Sequence, residues 1–158
     1  MLLGAFVLGV LAQAPAKPAP IETAHLTVAL SAAAVTAGGK TTLFLDVTPK
    51  PKMHVYSPGQ EGYIAIALTL DTDPGVVAAK AKYPAGEKYV MPALNETMLV
   101  YEKPFRIAQD VTIKPASAET KSMPKTIKGT LRYQACDDKI CYLPKTIPVE
   151  WTVGVNGK

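Results

Sequence analysis

The sequence predicts a single all-β domain built as an antiparallel sandwich, and three observations carry that expectation. Fourteen prolines and eleven glycines stand against only 7% aromatic residues in 158, which is the punctuation of many short strands and turns. Apolar residues recur at every second position in run after run, and no run keeps a helical period for long. The hydrophobic share of 48% in a chain of this length is enough for one core. Eight or nine strands are expected. The net charge of +4 comes from seventeen Lys and Arg scattered without a block, a pattern of a soluble surface rather than of a nucleic-acid or anionic-membrane partner. No phosphate loop, zinc quartet or serine triad occurs.

Residues 2–12 are apolar and lead into Ala12-Gln13-Ala14, which fits small-x-small cleavage, so residues 1–14 read as a signal peptide. The run falls short of the about 20 apolar residues that cross a bilayer. No Lys or Arg precedes it, which leaves the true start of the protein open, and no cysteine is near enough for lipid attachment. Residues 15–21 read as a stiff Pro/Ala-rich spacer, and 22–158 as the folded domain.

Leu26, Val28 and Leu30 alternate with polar or small residues, and after Gly38-Gly39 so do Leu43, Leu45 and Val47, giving the first two strands. Met53-His54-Val55-Tyr56 forms a short strand stopped by Ser57-Pro58-Gly59. A lone histidine such as His54 reads first as a packing residue. Residues 63–70, with Ile64, Ile66, Leu68 and Leu70 on one face, read as a central strand. Asp71-Thr72-Asp73-Pro74-Gly75 is a turn. Residues 76–83 return as an edge strand guarded by Lys80 and Lys82. Residues 84–97, broken by Pro84 and Pro92, read as a long loop. Phe105, Ile107, Val111 and Ile113 point inward on a strand where Gln109 suggests a bulge. Residues 114–124 are a polar connection. Ile127, Leu131, Tyr133 and Ala135 then share one parity and Cys136 the other, so strict alternation puts Cys136 on the polar face unless a bulge intervenes. Ile147, Val149, Trp151 and Val153 close the sheet, with Trp151 in the core.

The two cysteines, Cys136 and Cys141, are separated by Asp137, Asp138, Lys139 and Ile140 and belong to a hairpin end. A bridge around so small a loop stabilises a fold by only about 2 kcal/mol, roughly half of what one tying distant strands contributes. Two readings follow: a passive disulfide of an exported domain, or a redox pair. Exchange needs a thiolate, a reachable sulfur and a second thiol near enough to resolve the mixed disulfide. Asp137 and Asp138 are either a solvated turn or a brake on thiolate formation, each opposing it by about 0.7 kcal/mol at roughly 6 Å in water. Metal binding by the two thiols and His54 lacks two further ligands.

Tyr133-Gln134-Ala135-Cys136, followed by Cys141 and Pro144, resembles the active-site hairpin of the N-terminal periplasmic domain of the thiol:disulfide interchange protein DsbD. A weaker likeness extends over Met53-His54-Val55-Tyr56 and from Tyr83-Pro84 to Tyr101. The resemblance implies an immunoglobulin-like sandwich, although without the distant inter-sheet cysteines and early tryptophan of antibody domains. It also implies a Cys136–Cys141 disulfide that exchanges, with Cys141 attacking and Cys136 resolving. Tyr56 and His54 are then expected beside the hairpin as part of a partner-facing surface that includes Gln134, Asp137, Asp138 and Tyr142. Leu94 takes the place of the family's capping phenylalanine; the bland alternative is a surface loop with no such role. No cofactor and no metal are needed. The implied partners are thioredoxin-fold periplasmic proteins, as in cytochrome c biogenesis, with a membrane-embedded DsbD-like reductase acting in trans because this chain ends at Lys158. The competing function is an immunoglobulin-like binding or adaptor module whose local disulfide is purely structural.

Overall fold

A computed structural model describes residues 18–91, 95–115 and 124–156. The expected leader at 1–14, the start of the expected spacer and Leu94 lie outside the described residues. Within them the alternation seen in the sequence becomes strands with one buried face each. In chain order these are β1 (Ile21–Glu22), β2 (Leu26–Ala32), β3 (Val35–Thr36), β4 (Lys40–Pro49), β5 (His54–Tyr56), β6 (Ala67–Leu70) and β7 (Val76–Ala78). They continue as β8 (Glu87–Met91), β9 (Glu96–Tyr101), β10 (Phe105–Ile113), β11 (Lys125–Tyr133), β12 (Ala135–Cys136), β13 (Lys145–Val153) and β14 (Val155–Asn156). The fourteen described strands exceed the eight or nine expected, and six of them have only two or three residues.

A five-stranded sheet in the order β1-β2-β4-β10-β7 faces a three-stranded sheet, β13-β11-β6. All their pairings are antiparallel. Leu26, Val28, Leu43, Leu45, Val47, Ile107 and Val111 from the first pack against Ile127, Leu131, Tyr133, Val149 and Trp151 from the second in one buried cluster. The fold is an immunoglobulin-like β-sandwich. Trp151 is in the core, and its indole N–H donates to the Phe44 carbonyl on the facing sheet at 3.2 Å. A four-stranded sheet, β12-β5-β9-β8, and the parallel pair β14-β3 complete the structure.

Four expectations need correction. The central strand expected over 63–70 reduces to β6, at the edge of its sheet. The backbone before it is satisfied elsewhere: the Ile66 N–H donates to the Tyr56 carbonyl and the Ile64 N–H to the Gln134 side chain. On the open side of β6 the Leu68 N–H donates to the Tyr83 hydroxyl at 2.8 Å. The loop expected over 84–97 contains a strand, because Pro84 and Pro92 flank the run Glu87–Met91 instead of interrupting it, and β8 pairs with β9 along its whole length. No bulge interrupts β10 against β4, whose register runs residue for residue from Phe105–Val47 to Thr112–Lys40. The irregularity is on the other side of β10. From Ala78, opposite Val111, to Lys82, opposite Ala108, the edge chain takes one step more than β10, and the buried Gln109 side chain donates to the Ala79 carbonyl there.

The fourth correction concerns Cys136, which is fully buried and not on a polar face. β11 leaves its partner after Tyr133, opposite Lys145. The chain then crosses at Gln134 and continues as β12 in the four-stranded sheet, where Ala135 pairs with Val55 and Cys136 with His54. Changing sheets restarts the parity, so the neighbours Ala135 and Cys136 are both buried.

Gly129 on β11 pairs with Leu70 on β6, and a Cβ there would stand 2.5 Å from the Thr69 carbonyl oxygen. Gly129→Ala is expected to lower unfolding stability by about 1–3 kcal/mol, the range for an overpacked site. Urea unfolding measures it, and a loss under about 0.5 kcal/mol would mean that β6 can step aside at no cost.

Candidate functional site

The cysteine hairpin is shaped by Asp137. Its Oδ1 accepts from the backbone N–H groups of Lys139 and Ile140, both at 2.8 Å, and its Oδ2 from the Tyr142 hydroxyl at 2.9 Å. This is the local turn chemistry for which aspartate is selected. The same three bonds hold the Asp137 carboxyl below the ordinary carboxylate range. Backbone bonds from Asp137 N–H to the Ile140 carbonyl and from Tyr142 N–H to the Ala135 carbonyl close the hairpin. Cys136 and Cys141 are thereby set opposite one another and form a disulfide.

The two sulfur-bearing residues differ in access. Cys136 has 0% exposure and belongs to a small cluster with Tyr56, Met91, Met98 and Val100, separate from the main core. Cys141 is exposed. Beside it, Ile140 and Leu143 show 55% and 85% of their surface to solvent.

Tyr56 lies under the bridge. Its Oη is 3.2 Å from both sulfurs, and because bridged sulfurs carry no hydrogen the hydroxyl is the donor. Burial, followed by Tyr63 and Glu96, pushes its ionisation up to about 12. The ring stacks on Tyr63 at 4.4 Å, and the Tyr63 hydroxyl donates to Glu96 at 3.1 Å.

His54 is directly across from Cys136. Its ring packs at 4.6 Å on Tyr89 and edge-on to Tyr56 at 6.1 Å. Its Nε2 is buried without a hydrogen-bond partner. Burial lowers the His54 pKa, against the pull of Glu102, Asp138 and Asp137. Over this ring the Tyr89 hydroxyl donates to Asp138 at 2.7 Å, a bond that pushes Tyr89 up to about 12. Gln134 spans the crossing point. It accepts from the Ile64 N–H at 3.3 Å and donates to the Tyr142 carbonyl at 3.2 Å.

Of the residues singled out in the sequence, Tyr56, His54, Gln134, Asp137, Asp138 and Tyr142 surround the disulfide. Tyr56 and His54 are beneath the surface and not on it, because β5 runs between β12 and β9 with its side chains covered. Gln134, Asp137, Asp138 and Tyr142 retain exposure. Leu94 falls outside the described residues. Sequence reasoning missed Tyr63, Tyr89, Met91, Met98 and Glu96, which reach the site from the chain before and after 92–94. The apolar alternation of Tyr89 with Met91 was the signal available for a strand there. It also missed His25, buried with its ring 4.5 Å from Tyr142. Among the described residues no group of three or more His, Cys, Asp or Glu is arranged to hold a metal.

The family described as thiol:disulfide interchange protein DsbD, N-terminal, matches residues 23–151. No curated protein matches in sequence. Among solved structures, the N-terminal periplasmic domain of ScsB from Proteus mirabilis is 14% identical with a TM-score of 0.56, over 84% of this chain and 49% of that one. This chain thus spans about half the length of that structure, and the likeness is one of fold. The GAE domain of yeast GGA1 is 12% identical with a TM-score of 0.48, over 83% of this chain and 95% of that one.

His25 and His54 are the chain's two histidines, and burial holds both below the ordinary value of 6.5. The unfolded chain therefore takes up protons that the folded one refuses, so stability present above pH 6.5 is lost as the pH falls below it. Urea midpoints are expected to be lower at about pH 5.5 than at about pH 7.5, and His54→Phe, which keeps a ring against Tyr89, to narrow the difference. An undiminished difference in the variant would remove His54 from the account.

Proposed function

This chain belongs to the family of DsbD N-terminal domains, and on that premise we propose that it is a periplasmic thiol-disulfide relay working through Cys136 and Cys141. Its partners are thioredoxin-fold proteins on one side and a membrane-embedded thiol conduit on the other. Residues 1–14 direct export and 22–158 form the working domain. No helix among the described residues is long and apolar enough to cross a membrane.

The observation that carries this reading is the unequal exposure of the two bridged residues, Cys136 buried and Cys141 exposed. Exchange requires in-line approach of a thiolate to one sulfur while the other leaves. The exposed Cys141 is the sulfur a partner reaches, and the covered Cys136 is the one that leaves and later resolves. In the reduced domain the roles run backward: the Cys141 thiolate attacks a partner disulfide, and Cys136 then attacks Cys141 to release the partner. Ile140 and Leu143 offer apolar area beside the reactive sulfur, a surface suited to a partner that must dock before exchanging. The sulfurs carry the electrons, so the reaction uses no cofactor.

Cys136→Ser is expected to accumulate a covalent complex with a thioredoxin-fold partner through Cys141, visible as a shifted band on a non-reducing gel and absent with Cys141→Ser. A complex formed only by Cys141→Ser would exchange the two roles. The disulfide potential supplies the second measurement: a value below about −300 mV, the region of structural bridges, together with no complex from either variant, would return the protein to a non-catalytic adaptor.

A further inference from the structure

Opening the bridge from its exposed side leaves a negative charge on its buried side. When a partner thiolate attacks Sγ of Cys141, the S–S bond breaks and its electron pair goes to Sγ of Cys136. That sulfur is surrounded by Tyr56, Met91, Met98 and Val100, apolar company that solvates an anion poorly. The next residue, Asp137, is a carboxylate held in its ionised form, so the local field is also of the wrong sign. A thiolate expelled into such a place is a poor leaving group unless a donor meets it.

We propose that the Tyr56 hydroxyl is that donor, a catalytic residue of the relay that hydrogen-bonds the Cys136 thiolate as it leaves. The inference rests on the relay reading above and adds to it the group that makes the step feasible. Tyr56 Oη is 3.2 Å from Cys136 Sγ and 3.2 Å from Cys141 Sγ. The O–H can thus follow the charge from one sulfur to the other by rotating its hydrogen, with no movement of the ring. The ring is fully buried, stacked on Tyr63 and flanked by His54, so the donor is in place before the charge appears, the condition under which a fixed dipole helps most. No proton is transferred to sulfur by Tyr56. Its ionisation at about 12 is far above that of an ordinary thiol at about 8.5, and it remains a donor throughout the range in which thiols titrate. The cycle balances: the partner's first thiolate forms a mixed disulfide with Cys141 and Cys136 leaves as thiolate. The partner's second thiolate then forms the partner's own disulfide and expels Cys141. Two electrons have passed from the partner dithiol to the pair, and both thiolates take protons from water.

Tyr56→Phe removes one oxygen and keeps the ring. With dithiothreitol as the reducing probe at neutral pH, its disulfide is expected to open about tenfold more slowly than that of the unaltered protein, the effect of one hydrogen bond to a charged group. In a Cys141→Ser background, thiolate absorbance should show the Cys136 pKa about one unit higher once Tyr56→Phe is added. Tyr101→Phe, which deletes another largely buried hydroxyl, donated to the Pro84 carbonyl, should change neither. Opening rates and Cys136 pKa values left unchanged by Tyr56→Phe would overturn the donor role while leaving the relay intact. Loss of thioredoxin-fold exchange in the unaltered protein would instead sink the relay, and the donor role with it. Should Tyr56→Phe not fold, the ¹³Cζ resonance of Tyr56 in the Cys141→Ser protein decides the matter: it is expected to move as Cys136 titrates, and a flat resonance would overturn the role.

Discussion

The structure depends on one change of direction, the crossing of the chain between sheets at Gln134. Up to Tyr133 the strand belongs to the sandwich, paired with Lys145 on its neighbour; from Ala135 it belongs to the small sheet beside β5. Everything particular to the sulfur site follows from that step. It turns Cys136 inward over Tyr56 and against His54, and it leaves the return of the hairpin, with Cys141, outside. The crossing needs its polar groups satisfied, as any break in a ladder does. Gln134 meets that need by bonding both to residue 64 and to the returning chain at Tyr142.

The sandwich is largely legible in the sequence and the sulfur site only in part, for the same physical reason. Period-two alternation reports burial against one continuous sheet, so β2, β4, β10, β11 and β13 can be read directly from Leu26, Leu43, Phe105, Ile127 and Ile147 onward. It fails wherever a strand changes partners or finds its hydrogen bonds off the ladder. Parity puts Cys136 on the wrong face because it cannot see the crossing at Gln134. Residues 63–66 look like a strand because Ile64 and Ile66 alternate, yet their N–H groups are taken by Gln134 and Tyr56. Gln109 is a true signal of irregularity, but the extra residue belongs to the chain beside it. The prolines at 84 and 92 suggest a broken segment where they only bound one. The motif Tyr133-Gln134-Ala135-Cys136 locates the disulfide pair, whereas Tyr63 and Glu96 have no local signature, being joined to the site by contacts between distant segments.

The electrostatics of the hairpin divide between shape and reactivity. In the sequence Asp137 and Asp138 read together, either as a solvated turn or as a brake on thiolate formation. In the structure their hydrogen bonds serve different ends. Asp137 builds the turn through Lys139, Ile140 and Tyr142, and Asp138 ties the tip to Tyr89 on β8. The negative charge that disfavours a thiolate is therefore a by-product of groups that fix the loop. Lys139 in the same turn sets a positive charge against it. Beneath the sulfurs the neighbour is a neutral group, the Tyr56 hydroxyl, which burial keeps protonated.

A bridge intended for exchange must be one that the fold can open without coming apart, and the short hairpin satisfies that condition twice over. Its loop is so small that closing it contributes only about 2 kcal/mol on the chain-entropy account, against the buried interface of two sheets that no disulfide crosses. The turn is also held independently of the sulfurs, by the Asp137 bonds, by the Ala135–Tyr142 backbone bond and by the Gln134 clamp. On the proposed relay, these contacts would keep Cys141 close to Cys136 once the S–S bond breaks, near enough for one thiol to resolve the other's mixed disulfide. Proximity of this kind raises the effective concentration of the second thiol far above that of any competitor in solution. A bridge between the two sheets would have fastened the sandwich more firmly, and its opening would then have been coupled to the stability of the core; placed at the tip, the same bond can open while the sandwich stays closed.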